Sequence, residues 1–266
     1  MFTAERREAV LQRMLRLGED DDRIVAGAVV GSLAIDAADR FSDIDVKFGV
    51  TSTVAVSEVI EDWTATIVGE LAAVRLVDLF RDPAYYRIFL LPGGLQLDLS
   101  MTPEMHFRPA GKKFRLVFGS TADRQPASSA SVGDLFISTP RTAADIFGWG
   151  VVYALHAHAC IERRRVWQAE HYVGMVRDHA LALACLRHRL TAAEARAFDD
   201  LPDEVLGRFE RAHIGSLQSR MLKSALTAST TALLNEAEES RIASAKIVRE
   251  RLAHVYDSPG VRPLSR

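Results

Sequence analysis

Residues 24–32 read Ile-Val-Ala-Gly-Ala-Val-Val-Gly-Ser, and residues 41–50 read Phe-Ser-Asp-Ile-Asp-Val-Lys-Phe-Gly-Val. The first stretch is apolar and rich in β-branched side chains, which predicts a buried strand that ends at Gly31 and Ser32. Glycine lets a ligand approach the backbone closely, and backbone N–H groups with a serine hydroxyl hold phosphate oxygens without a lysine. This stretch therefore predicts a strand followed by a phosphate-binding turn.

The second stretch alternates between apolar and polar residues and predicts another strand. Side chains two residues apart on a strand point the same way, so Asp43 and Asp45 lie about 7 Å apart at the backbone, while Ile44 and Val46 enter a core. Two neighbouring carboxylates repel each other unless a cation lies between them. Hard oxygen ligands suit Mg²⁺ or Mn²⁺, which also bind triphosphate oxygens, so this strand predicts a metal site.

A third carboxylate lies in residues 95–100, Leu-Gln-Leu-Asp-Leu-Ser, where leucine alternates strictly with polar residues. This pattern predicts a half-buried strand on which Asp98 faces away from the core. The run Tyr86–Leu91 and the turn Pro92-Gly93-Gly94 predict a hairpin with that strand. Asp98 is therefore expected beside the first two aspartates in one sheet, where three carboxylates complete a clamp for two metal ions.

With these residues in place, the chain resembles the DNA polymerase β-like nucleotidyltransferase superfamily. The pattern of that family is a hydrophobic residue, Gly-Ser, a spacer, Asp-x-Asp and a later strand aspartate, and it covers Val30 to Asp98 here. Trp-Gln-Ala-Glu at 167–170, with Arg177-Asp178, looks like the helical domain of bacterial aminoglycoside and lincosamide nucleotidyltransferases. The resemblance implies transfer of AMP from ATP, or of another NMP from its NTP, to a hydroxyl of a small acceptor such as one of these antibiotics.

The resemblance also implies a role for each residue of the pattern. Asp43, Asp45 and Asp98 are the expected catalytic residues and the expected ligands of two Mg²⁺ ions, or of Mn²⁺. Gly31 and Ser32, together with Asp43 and Asp45, are expected to bind the nucleotide. An acceptor hydroxyl then attacks the α-phosphorus in line and pyrophosphate leaves, with Asp98 as the first choice of general base.

Other polar residues leave alternatives open. Glu170 and Arg177, seven residues apart on one predicted helix, share a face. They either point at the nucleotide cleft, with Glu170 as the second choice of general base, or form an internal polar network. Lys112, Lys113 and Arg115 either meet a triphosphate or are solvated charges.

Composition favours a small acceptor. The chain has 266 residues and a net charge of −2, without the basic stripe that a nucleic-acid-binding protein usually shows. Cys160 and Cys185 have neither metal-ligand spacing nor the number that a disulfide framework needs. No window approaches the ~20 apolar residues of a membrane span, and the first 17 residues are charged and periodic. We therefore expect a cytoplasmic protein without nucleic-acid or membrane partners; the oligomeric state is not predicted.

The order of elements predicts an α+β chain in two domains. Residues 1–120 are expected to form a polymerase β-type catalytic domain, a mixed sheet with flanking helices. Residues 121–138 are small and polar, as in a linker or mobile loop. Residues 139–266 are expected to form a helical, substrate-binding bundle. The helices predicted there cover 142–164, 167–190, 192–198, 203–211 and 216–256, with Trp167 in the core.

Two other functions fit the same pattern. A protein-modifying adenylyltransferase, for example one that silences a toxin partner, uses the same chemistry but needs a wider groove for its acceptor. A nucleotide-binding protein that performs no transfer needs the phosphate site alone, and the intact set of three aspartates argues against it. Conversion of ATP to pyrophosphate distinguishes these alternatives.

Overall fold

The predicted fold class is confirmed in the computed structural model, which describes residues 2–109, 113–122 and 142–256. The chain is α+β: a six-stranded mixed sheet with helices is followed by a helical region. The described residues divide into two units, with the second beginning at Thr142. The predicted linker, residues 121–138, lies outside the described residues except for its first two positions, so the linker and the domain limits stay predictions.

The first unit contains two long helices and six strands. They are α1 (Ala4–Glu19), β1 (Ile24–Val30), β2 (Ile44–Val50), α2 (Val56–Leu71), β3 (Val74–Arg81), β4 (Ala84–Leu90), β5 (Gln96–Pro103) and β6 (Phe114–Phe118). The strand order is β3-β4-β5-β2-β1-β6. Strands β2 and β5 are parallel, and every other neighbouring pair is antiparallel. The two strands that carry aspartates therefore lie side by side in the middle of the sheet.

One face of the sheet is apolar. Ile44 and Val46 of β2 and Leu97 and Leu99 of β5 are all 0% exposed, and they belong to one core cluster with residues of α1 and α2. Burying a side chain of this size contributes about 1.5–3 kcal/mol. A slip of one residue in either strand would exchange these side chains for the aspartates between them, so the apolar core fixes the register of both strands.

The second unit is helical, as predicted. Its helices are α3 (Ala143–Glu162), α4 (Val166–Arg187), α5 (Asp203–Leu206), α6 (Ser219–Glu239) and α7 (Ala245–Tyr256). Thr142 caps α3: its hydroxyl accepts from the Asp145 N–H at 3.1 Å, and the Asp145 carboxylate accepts from the Thr142 N–H at 3.1 Å. Within the described ranges, none of these helices combines the length and the apolar character that crossing a bilayer requires.

Four predictions for this unit are wrong, and one of them is the helix expected over 203–211, which ends at Leu206. The helix expected over 216–256 is two helices, because the chain leaves the helical conformation at Arg241, whose φ is 57°; serines at 240 and 244 favour such a break, since their hydroxyls compete for backbone hydrogen bonds. The helix expected over 192–198 is a 3₁₀ turn at Ala193–Ala195. Trp167 is not a core residue, since 73% of it is exposed.

Candidate metal centre

The three predicted carboxylates meet at one point of the sheet. Asp45 and Asp98 are register partners on the parallel strands β2 and β5, and their side chains leave the sheet on the face opposite the core. Asp43 directly precedes β2. One carboxylate oxygen from each of the three residues lies within 4.8 Å of the others. Their proximity matches the sequence analysis, while their metal-binding and catalytic roles stay predictions.

Electrostatics favours a cation at this point. Burial and, next to it, the negative charge of Asp43 raise the pKa of Asp45 to about 7, against the opposing effect of the Lys113 ammonium. Burial, followed by the charges of Asp45 and Asp43, raises the pKa of Asp98 well above its usual range. Among the residues that the structure describes, none forms an ion pair with these three carboxylates. Three converging hard oxygen donors without a counter-ion fit a divalent cation such as Mg²⁺.

Gln96 holds the Asp98 carboxylate in place. Its side-chain amide is 4% exposed, and its Nε2 donates a hydrogen bond of 2.9 Å to Asp98 Oδ1. This bond opposes the upward shift of the Asp98 pKa. The sequence analysis missed Gln96, although it lies two residues before Asp98 on the same strand face.

A network anchored on helix α1 positions the chain just before β2. The Phe41 N–H donates to Asp39 Oδ1 at 2.9 Å, and the Ser42 hydroxyl donates to the same oxygen at 3.2 Å. The buried guanidinium of Arg7 donates to the backbone carbonyls of Asp39 and Ser42. Because these bonds commit the backbone to a turn, the strand expected from residue 41 begins instead at Ile44.

Position 31 requires glycine because the Asp45 carboxylate leaves no room for a side chain there. The φ of Gly31 is 68°, and a Cβ at this position would lie 2.2 Å from Asp45 Oδ2. The Gly31 N–H donates to the Lys113 carbonyl at 3.2 Å, so this amide is used within the sheet rather than for a phosphate. The glycine thus brings the Gly-Ser turn against an aspartate of the candidate metal centre.

Ser32 has the properties of a ligand-binding residue. Its Oγ is buried, and it lacks a hydrogen-bond partner within the described parts of the chain. An unsatisfied buried hydroxyl costs about 1–3 kcal/mol, so such a group points to a partner that binds from outside the protein. The expected phosphate contact of this turn therefore rests on the Ser32 hydroxyl.

Replacing Gly31 by alanine is expected to destabilise the protein by about 1–3 kcal/mol, because alanine is strained at positive φ and its Cβ would displace the Asp45 carboxylate. Nucleotide binding should weaken as well. The matched control is Gly69→Ala on α2, where a Cβ meets nothing within 4 Å; alanine should stabilise that helix by up to about 1 kcal/mol. Urea unfolding measures both changes, and equal effects would contradict this account of Gly31.

Glu170 and Arg177 lie on α4 in the second unit, and both are half-buried. The Arg177 guanidinium donates from Nε and Nη2 to Asp178 Oδ1, at 3.0 and 2.9 Å. Arg177 is therefore bound by its neighbour in sequence rather than by Glu170. The roles of Glu170 and Arg177 at a nucleotide cleft stay predictions.

Comparison with known proteins yields distant likenesses among solved structures. No protein-family model matches the chain, and no curated protein sequence matches it. The solved structures that are similar include an aminoglycoside 6-adenyltransferase from Bacillus subtilis, which is 16% identical over 92% of this chain and 90% of that chain, with a TM-score of 0.33. At this identity and TM-score, the likeness assigns neither a family nor an activity to the chain.

Proposed function

We propose that this protein is a metal-dependent nucleotidyltransferase that moves AMP, or another NMP, from an NTP to a hydroxyl of a small acceptor and releases pyrophosphate. One observation carries the proposal: carboxylate oxygens of Asp43, Asp45 and Asp98 lie within 4.8 Å of one another, against a Gly-Ser turn with an unsatisfied buried hydroxyl. The Gly-Ser and Asp-x-Asp pattern supports the same chemistry. The reaction belongs in the cytoplasm, which holds the NTP pool.

The three aspartates would hold two Mg²⁺ ions. When bound, the ions neutralise the triphosphate and stabilise the attacking and leaving oxygens. Ser32 donates its hydroxyl to a phosphate oxygen of the NTP, while Gly31 keeps the turn against Asp45. Asp98, which meets Asp43 and Asp45 at one point of the sheet, is proposed to accept the proton of the acceptor hydroxyl; Glu170 is the alternative base. The new bond joins the acceptor oxygen to the α-phosphorus, and the bond to pyrophosphate breaks.

Aminoglycosides and lincosamides are the first acceptors to test, because the sequence pattern beyond the aspartates resembles the enzymes that modify them. The second unit is the proposed acceptor-binding domain. The acceptor is proposed to be a small molecule rather than nucleic acid, since the net charge of the chain is −2 and a polynucleotide requires a basic surface.

Wild-type protein is expected to release pyrophosphate from Mg²⁺-ATP in the presence of one drug class from a panel of aminoglycosides and lincosamides. The control is the double variant Asp43→Asn/Asp45→Asn, which should release none. ATP binding without release across the panel would direct the search to protein acceptors, as in a toxin-silencing enzyme, or to a non-catalytic nucleotide-binding role. Absence of Mg²⁺-dependent binding of any NTP by the wild type would overturn the proposal.

A further inference from the structure

We propose that Lys113 binds the β- and γ-phosphates of the NTP and thereby makes the site selective for triphosphates over monophosphates. The inference rests on the proposed nucleotidyl transfer and adds a residue to it. The sequence shows three neighbouring cations, Lys112, Lys113 and Arg115, without distinguishing among them. The structure describes two of these residues and assigns them different surroundings; Lys112 lies outside the described residues.

Lys113 lies beside the Gly-Ser turn, which in turn lies against Asp45 of the candidate metal centre. Its carbonyl accepts the Gly31 N–H at 3.2 Å, so it is the direct sheet neighbour of the Gly-Ser turn. Gly31 is in turn so near Asp45 that a Cβ would lie 2.2 Å from Oδ2. The side chain of Lys113 is exposed, and its backbone is one hydrogen bond away from the Gly-Ser turn. A phosphate held by Ser32 next to the metal centre is therefore within the range of this charge.

Two other cations of the same unit are already engaged. Lys47 Nζ donates to the Arg108 carbonyl at 3.1 Å. Arg115 donates to the Leu33 carbonyl at 3.2 Å and lies 3.7 Å from Asp36 Oδ1. Lys113, by contrast, is exposed, and within the described ranges its ammonium forms neither an ion pair nor a hydrogen bond.

With nucleotide and metal ions bound, the site carries excess negative charge, which favours a further cation. Three carboxylates and a fully ionised triphosphate together carry a charge of about −7, and two divalent ions neutralise about four of those charges. The Gly31 amide is used within the sheet, so the turn offers the phosphate tail fewer donors than the Gly-Ser pattern suggests. An ammonium next to the turn supplies part of the missing positive charge, and only a nucleotide with β- and γ-phosphates benefits from it.

The test compares Lys113→Gln with Lys113→Arg and with Arg6→Gln. Arg6 is exposed on α1, so its variant removes one positive charge from the same unit away from the site. Calorimetry gives the dissociation constants of Mg²⁺-ATP and AMP, and that of Mn²⁺ alone. Lys113→Gln is expected to weaken Mg²⁺-ATP binding about ten- to hundredfold, as for the loss of a hydrogen bond to a charged group, with AMP unchanged. Lys113→Arg should restore most of the affinity, and Arg6→Gln should match the wild type.

Two results would overturn the role of Lys113. Unchanged ATP affinity in Lys113→Gln would show that the phosphates lie elsewhere. Equal weakening of ATP and AMP binding would show that Lys113 does not act on the β- and γ-phosphates. Both results require a wild type that binds ATP, so they leave the proposed function standing. If the wild type binds no nucleotide, the proposed function and this inference fall together.

Discussion

Replacing Asp98 by asparagine is expected to slow pyrophosphate release by at least about a thousandfold and to leave the free energy of unfolding unchanged or higher. Asparagine keeps the shape of the side chain, and its Oδ1 still accepts the Gln96 hydrogen bond. What it loses is the negative charge that a metal ion or an acceptor proton requires. The same charge is unfavourable in the metal-free protein, because burial and two neighbouring aspartates raise the Asp98 pKa.

Asp78→Asn is the matched control, because Asp78 is an aspartate of the same sheet with a structural role. Its two oxygens accept hydrogen bonds of 2.7 and 2.6 Å from Arg87, which is 3% exposed. This variant should lose about 1.5–3 kcal/mol of stability while its turnover rate stays unchanged. Urea unfolding and pyrophosphate release, measured on both variants, should therefore give opposite patterns. Turnover of Asp98→Asn within tenfold of the wild type would remove Asp98 from the mechanism.

The centre of the sheet was predictable because apolar and polar residues alternate along each of its two strands. Ile44 and Val46 alternate with the first two aspartates, and Leu97 alternates with Asp98, so the apolar positions alone assign each carboxylate to the polar face. The hairpin turn at Pro92–Gly94 then brings β5 back into the sheet. These signals need no knowledge of distant contacts.

The missed features depend on contacts between residues far apart in sequence. The steric reason for Gly31 is the Asp45 carboxylate, and the use of its amide depends on Lys113 at the end of another strand. The late start of β2 depends on Arg7, a charged residue that packs inside because two backbone carbonyls accept from it. The helix breaks at Arg241 because the local residues have only weak helix propensities. The periodic pattern of apolar residues continues through this position, so the pattern alone does not reveal the break.

The metal-free protein is expected to lose stability as the pH rises from about 5 to about 8, because Asp45 titrates near pH 7 when folded. Its pKa is raised from 3.8 to about 7, so the folded chain keeps a proton that the unfolded chain has already released. The stabilising contribution is complete below the unfolded pKa and is lost as the pH rises through the folded pKa. A shift of this size is worth roughly 2–4 kcal/mol, or about 5–10 °C in melting temperature.

Asp45→Asn should reduce this loss to the part that Asp98 contributes, since burial also raises the Asp98 pKa, and saturating Mg²⁺ should cancel it in the wild type, because a bound cation replaces the protons. The difference between wild type and variant isolates Asp45 from the eight histidines that titrate in the same range.

The control is Asp21→Asn, because the Asp21 pKa is shifted in the opposite direction. Hydrogen bonds from Arg23 lower the Asp21 pKa to about 2, so this group is ionised in both the folded and the unfolded state above pH 5. The Asp21→Asn variant should therefore keep the wild-type slope of stability against pH. Thermal unfolding at pH 5, 6.5 and 8, with and without Mg²⁺, measures all three proteins. A slope in Asp45→Asn as steep as that of the wild type would place the titrating group elsewhere and would remove the electrostatic argument for a cation at this site.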